Sequence, residues 1–229
     1  MKKYIALSLC VLFTASALTG CSKTEYPEST ATSAPPSVTA AAPTATPEAT
    51  SNYPAALTTE QLAGFQTALT SQENYGFLFS NYDDVRDADL MQVFYTGAGM
   101  KNPDNSDEIE KGYEAEYGPD ESDVDSTILT TKQLNEFLTA KTGHILSEMN
   151  NKLDWRYVKQ YDAYIHYHGD TNYVEVSCTG GREISENLFE VNYTIPGGMA
   201  DSDGNFLSGG TVTVKNTGDK MQFVSNSLH

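Results

Sequence analysis

The sequence predicts an α+β fold in which N-terminal helices pack on a C-terminal antiparallel sheet, and three observations carry that prediction. Two threonine-led capping patterns open apolar runs of helical spacing. From Tyr173 onward apolar and polar residues alternate, as in half-buried strands. Between the alternating runs lie clusters of Gly, Pro, Asn and Asp, which favour turns. Helices first and sheet second is an α+β order, not the repeated βαβ order of a parallel sheet.

The first helix opens at Thr58-Thr59-Glu60-Gln61. A threonine hydroxyl there accepts an otherwise unpaired backbone N–H, and Gln61 reaches back to complete a capping box; Leu62, Phe65, Ala68 and Leu69 follow at helical spacing. Tyr75 to Phe79 and Leu90 to Tyr95 are apolar and aromatic segments whose type the pattern does not assign. Asn102 to Asp125 is an acidic excursion with a helix near Glu108 to Glu116. Thr130-Thr131-Lys132-Gln133 repeats the capping pattern before Leu134, Phe137 and Leu138, and Gly143 suits the left-handed stop of that helix. The residues around the two boxes do not otherwise correspond, so there is no internal repeat. Strands are predicted at Tyr173 to Val176, Leu188 to Ile195, Thr211 to Val214 and Met221 to Val224. Gly180-Gly181, Pro196-Gly197-Gly198, Asp201 to Gly204 and Asn216 to Asp219 are read as the turns of a meander.

This grammar starts near Leu57, which leaves about 170 residues for a single core. What precedes it is of another kind. Lys2-Lys3 is followed by an apolar stretch from Ile5 to Leu18, about 14 residues and short of the roughly 20 that span a bilayer, as in a cleaved secretory signal. Residues 21–56 are rich in Ser, Thr, Ala and Pro, with Glu48 the only charge from Ser29 to Ser51. They lack the apolar pattern of a core and read as a disordered tether.

Leu18-Thr19-Gly20-Cys21 resembles the lipobox of bacterial lipoproteins at all four positions: an aliphatic residue, two small ones, then the cysteine. The resemblance implies that residues 1–20 are removed. Cys21 then becomes an N-terminus carrying diacylglycerol and acyl chains such as palmitate. Two or more chains anchor far more firmly than one, so the expected location is the extracytoplasmic face of the cell membrane. In layout the chain is similar to uncharacterised envelope lipoproteins of Gram-positive bacteria. The order of its folded elements resembles the NTF2-like cone, in which helices and a curved antiparallel sheet enclose a pocket.

The chain carries a net charge of −17, which becomes −19 when Lys2 and Lys3 leave with the signal. Such a field disfavours nucleic acid and anionic headgroups as partners. Of three cysteines, Cys10 leaves with the signal and Cys21 is lipidated. Cys178 therefore has no internal disulfide partner, and it reads as a small buried residue, not a nucleophile.

The densest concentration of chemistry runs from Trp155 to Asp170, with the only tryptophan and two of the four histidines. If Ala163 to His168 is a strand, Tyr164, His166 and His168 share one face, and Asp170 continues the alternation. Trp155, Tyr164, His166, His168 and Asp170 are thus the candidate ligand-binding residues. The aromatic rings suit sugars, offering apolar faces with polar edges. Two imidazoles and a carboxylate permit a metal without requiring one. The run resembles the start of the His-x-His-x-Asp-His signature of metallo-β-lactamase-type hydrolases, but Thr171 replaces the last histidine and the βαβ context is missing, so that family is rejected.

Asp201-Ser202-Asp203-Gly204-Asn205 starts like a calcium loop, yet Phe206 stands where the required glycine belongs and Val212 where the bidentate glutamate belongs. It reads as a polar hairpin turn. No nucleophile elbow, phosphate-cradling loop or Cys-x-x-Cys pair is present, and no acid–base pair stands out among so many carboxylates. The expectation is a lipid-anchored binding or interaction module without metal or cofactor, held at the membrane and meeting an envelope ligand or protein. A metal-dependent envelope hydrolase using Tyr164, His166, His168 and Asp170, and a structural or inhibitory partner of another envelope protein, are the alternatives.

Overall fold

The computed structural model describes residues 53–119, 124–169, 173–200, 206–218 and 220–229. The predicted signal, Cys21, the predicted tether up to Asn52, Asp170 and the predicted turn at residues 201–205 lie outside them. The described chain is mixed α+β, with a five-stranded and a three-stranded antiparallel sheet.

A two-residue strand, β1 (Ala55–Ala56), comes first, two residues ahead of the predicted start of the domain. Helix α1 (Thr59–Leu69) has the predicted capping box: Gln61 N donates to Thr58 Oγ1 at 3.1 Å, and Thr58 N donates to Gln61 Oε1 at 2.9 Å. Phe65 and Leu69 face the core. Tyr75–Leu78 and Val85–Asp87 are single 3-10 turns, and α2 (Leu90–Phe94) is one short helix capped by Asp89. These segments showed no clear period because none is long enough to repeat one. Gly76 decides how the first turn packs. A Cβ there would collide with the Gln92 carbonyl and Val93 Cα, so the backbone of the turn lies directly on α2.

Helix α3 (Ser106–Tyr117) fills part of the acidic excursion, and α4 (Thr131–Thr142) has the second capping box and ends at Gly143 with φ of 79°. Between them β2 (Asp125–Thr130) pairs with β4 (Ala163–His168), which pairs in turn with β3 (Arg156–Val158). The sequence reading left β2 unassigned. One face of this small sheet, with Ile128, Val158, Ala163 and Ile165, forms a second core with Ile109 of α3. The opposite face, with Leu129 and Tyr164, packs towards the main core.

The larger sheet runs β1-β5-β6-β7-β8, with β5 (Ser177–Ser185), β6 (Leu188–Ala200), β7 (Phe206–Thr217) and β8 (Lys220–Leu228) in the predicted meander. Three local readings change. Gly180-Gly181 is inside β5, not a turn. The register shifts between Cys178 and Gly180, and a Cβ on Gly181 would strike the Glu190 carbonyl, so these glycines serve a bulge and a close strand approach. The β5–β6 reversal falls at Glu186-Asn187, between the paired Ser185 and Leu188, with Asn187 at φ of 60°. Pro196-Gly197-Gly198 likewise belongs to β6, where the register to β7 shifts between Thr194 and Met199.

The third change follows from the second. Tyr173 to Val176 is not a strand. Continuing the Ser177–Thr194 register would set it against Ile195 to Gly198. Pro196 has no N–H to give, and Gly197 and Gly198 have φ of 87° and 67°, so no ladder forms. Side chains take over instead. Tyr75 Oη donates to the Val174 carbonyl at 2.6 Å, Gln66 Nε2 donates to the Val176 carbonyl at 2.8 Å, and Cys178 N donates to Gln66 Oε1 at 2.6 Å.

One buried polar cluster joins the chain from Phe77 to Tyr82 to the sheet. The Tyr193 hydroxyl lies 2.8 Å from the Leu78 carbonyl and 3.0 Å from Asn226 Oδ1, while Asn226 Nδ2 donates to the Ser80 carbonyl at 2.9 Å. Tyr82 and Asn226 also exchange two backbone hydrogen bonds. Around this cluster the aromatic core closes, with Phe77 stacked on Phe223 at 4.2 Å. Tyr193→Phe keeps the ring and removes the hydroxyl proton, leaving the Leu78 carbonyl with the longer bond from Asn226 Nδ2 at 3.3 Å. The expected loss is about 1–3 kcal/mol, read as a melting temperature several degrees below wild type; an unchanged melting temperature would show that the hydroxyl is not holding the segment.

Candidate functional site

The interrupted ladder opens a cleft. It has a volume of about 270 Å³ and lies between the 3-10 turn at Tyr75, α2, the coil at Tyr173-Val174 and Met199 of β6. Tyr75 is its centre: its ring sits 4.6 Å from Phe79 and 5.2 Å from Tyr173, and its hydroxyl is fixed on Val174. The hydroxyls of Thr96 and Tyr173 are 3.1 Å apart. Tyr95 and Tyr173 remain 39 % and 52 % exposed. Gln72 and Gln92, also exposed, add two carboxamides to the lining.

Among the described residues no Asp, Glu, Lys, Arg or His lines this cleft, in a chain of which a fifth is charged. The described lining offers hydroxyls, carboxamides and aromatic rings.

The residues singled out in the sequence lie behind Tyr95, whose ring is 5.6 Å from His166 and 5.5 Å from His168. Strand β4 turns Tyr164, His166 and His168 to one face by its alternation. Trp155 is buried and stacks on His166 at 5.3 Å with 15° between the planes; Tyr164 instead packs on Tyr157 at 4.9 Å. The cluster therefore assembles, with Tyr164 one step away along the strand and Asp170 outside the described residues.

The two histidines differ. His168 Nδ1 lies 3.0 Å from the Gly169 carbonyl, to which it can only donate, and Nε2 lies 2.8 Å from the Thr127 hydroxyl. Both of its nitrogens are thereby engaged. His166 Nε2 is buried with no hydrogen-bond partner among the described residues, as is Trp155 Nε1. Burial, then the neighbouring His168, holds the His166 pKa below its ordinary value. Among the described residues no group of three His, Cys, Asp or Glu is placed to hold a metal ion. Cys178 is half-buried at the start of β5, and burial pushes its thiol up to about 11, far from thiolate chemistry at neutral pH.

The cleft itself escaped the sequence reading, because Tyr75, Tyr95 and Tyr173 come from three separated segments. The usable signal was Pro196-Gly197-Gly198, which cannot ladder with a strand beside it. Comparison with protein-family models, with curated proteins and with solved structures gives no match for the chain.

Two measurements test this geometry. Because its folded-state pKa is depressed, His166 contributes stability that is fully present above the unfolded value of about 6.5 and is lost as the pH falls towards the folded value. His166→Phe keeps a ring on Trp155 without a titrating nitrogen. Between pH 8 and pH 5 the melting temperature of the wild type should therefore fall further than that of the variant; parallel curves would refute the assignment. The Cys178 thiol should react with iodoacetamide at pH 8 at least tenfold more slowly in the native protein than in denaturant, and equal rates would contradict its burial.

Proposed function

We propose that the chain is an exported lipoprotein, anchored through Cys21 on the extracytoplasmic face of the cell membrane, whose folded domain is a binding module. The observation that carries the binding reading is the cleft at Tyr75, Tyr95 and Tyr173: aromatic, open and without a charged side chain among the described residues, in a chain of net charge −17. Small-molecule sites are concave and mostly apolar with a few placed polar groups, and this lining has that character. The engaged nitrogens of His168 favour binding over a metal-dependent hydrolase.

Support for the anchor comes from the ordered run of Lys2-Lys3, the apolar stretch and Leu18-Thr19-Gly20-Cys21. Among the described residues no helix is long and apolar enough to cross a membrane. An NTF2-like cone belongs to the same proposal, supported by a helical layer on an antiparallel meander with a cleft between them. The strongly acidic composition favours an envelope ligand or protein over nucleic acid as the partner.

The anchor is tested by expressing the full chain and its Cys21→Ser variant in a bacterium fed labelled palmitate. The wild type should carry label and sediment with membranes, while the variant should lose the label and remain at precursor length. Equal labelling of both would overturn the lipid attachment at Cys21.

A further inference from the structure

We infer that the cleft at Tyr75, Tyr95 and Tyr173 takes an uncharged pyranose ring, a single sugar unit of a glycan. The inference rests on reading this cleft as the ligand site and goes on to name the ligand class. Four features select it. The volume of about 270 Å³ is just below the range of about 300–1,000 Å³ that houses drug-sized molecules, which limits the occupant to about one ring with its substituents. The exposed rings of Tyr95 and Tyr173 offer apolar faces for the C–H face of a sugar, with a hydroxyl at each edge.

The third feature is the pairing chemistry. Gln72 and Gln92 each carry an N–H₂ donor and a carbonyl acceptor, and the hydroxyls of a sugar both donate and accept and so can serve each. A quaternary ammonium would also suit aromatic faces, but with no lone pair or N–H it makes no use of the two carboxamides, which a sugar's hydroxyls can bond. The fourth is charge. Among the described residues no cation lines the cleft, so an acidic sugar would lose hydration without an ion-pair partner there and meet the field of a chain with net charge −17.

Ring contacts tie the cleft to the interior. Tyr95 rests on His166 and His168, and His166 rests on Trp155, so a sugar seated on Tyr95 lies two ring contacts from the only tryptophan. Its arrival should reach the indole.

The test is a titration of the full chain, in detergent, followed by ligand-observed NMR and by Trp155 fluorescence. The probes are methyl glucopyranoside, N-acetylglucosamine, glucuronate, choline and indole. A neutral pyranoside should saturate with a Kd on the order of millimolar, in keeping with so small a ligand. Glucuronate should bind at least about tenfold more weakly. Tyr173→Ala and Gln92→Ala, both at exposed positions, should each weaken the neutral sugar about three- to tenfold while leaving the melting temperature within a degree or two of wild type. Choline or indole saturating the cleft with no response to either neutral sugar would overturn the sugar assignment and leave the binding site standing. No response to any probe would overturn both. Neutral-sugar binding unaltered in both variants would place the sugar elsewhere and equally refute the proposal.

Discussion

One hydroxyl and one carboxamide fix the buried segment from Leu78 to Ser80 on the sheet. Tyr193 is on β6 and Asn226 on β8, and both reach across the core to main-chain carbonyls between Leu78 and Ser80. That segment has little regular structure, so its carbonyls need partners from elsewhere when buried. The sheet supplies them. Once Leu78 is pinned, the preceding turn is pinned with it, and Gly76 lets that turn lie on α2 backbone to backbone. The positions of Tyr75 and Tyr95, at either end of this contact, follow from it. A buried polar cluster of this kind adds modest net stability, but leaving any member unpaired is costly, which favours one arrangement of the segment over its alternatives.

The same logic governs the strand edges. Where a ladder stops, its N–H and C=O groups remain obligatory hydrogen-bonding groups, and a helix or loop side chain serves them here. Gln66 spans Val176 and Cys178 at the start of β5. Asn102 does the same at β2, accepting from Ile128 N at 2.9 Å and donating to the Ser126 carbonyl at 3.3 Å. Each carboxamide imitates a peptide group of a missing neighbour strand. The substitution leaves space that a real strand would have filled, and beside Tyr173 and Val174 that space is the cleft.

These examples explain what was legible in the sequence. The capping boxes at Thr58 and Thr130 are local: the partners are three residues apart, and the structure reproduces both. The alternating residues of β6, β7 and β8 were equally plain, since one face of each is buried. Reading Pro196-Gly197-Gly198 as the end of a strand used a local rule, yet its larger effect is non-local: it removes the partner of Tyr173 to Val176. Strand β2 was hidden because its pairing with β4 spans about forty residues. Of the proposed ligand residues, the strand alternation correctly grouped Tyr164, His166 and His168. It could not show that His168 is occupied by Thr127 and Gly169, or that Tyr95 stands in front of both histidines.

If the domain binds as proposed, the contrast between its acidic composition and a cleft without charged side chains among the described residues bears on what it can select. Long-range attraction and repulsion act on any approaching charge, and at physiological salt they fade over about 8 Å. A neutral ligand feels none of this, so its discrimination depends on fit and hydrogen bonding within the cleft. Fit requires rigid walls. Tyr75 is held by its hydroxyl and by Phe79, Tyr173 by Thr96, and Tyr95 by the His166–Trp155 stack. Walls fixed before binding reduce the ordering cost that would otherwise consume the small affinity available to a one-ring ligand. On this view the histidine cluster that dominates the sequence is backing for the proposed site, and the burial of His166 Nε2 and Trp155 Nε1 without a partner among the described residues is the cost that this backing entails.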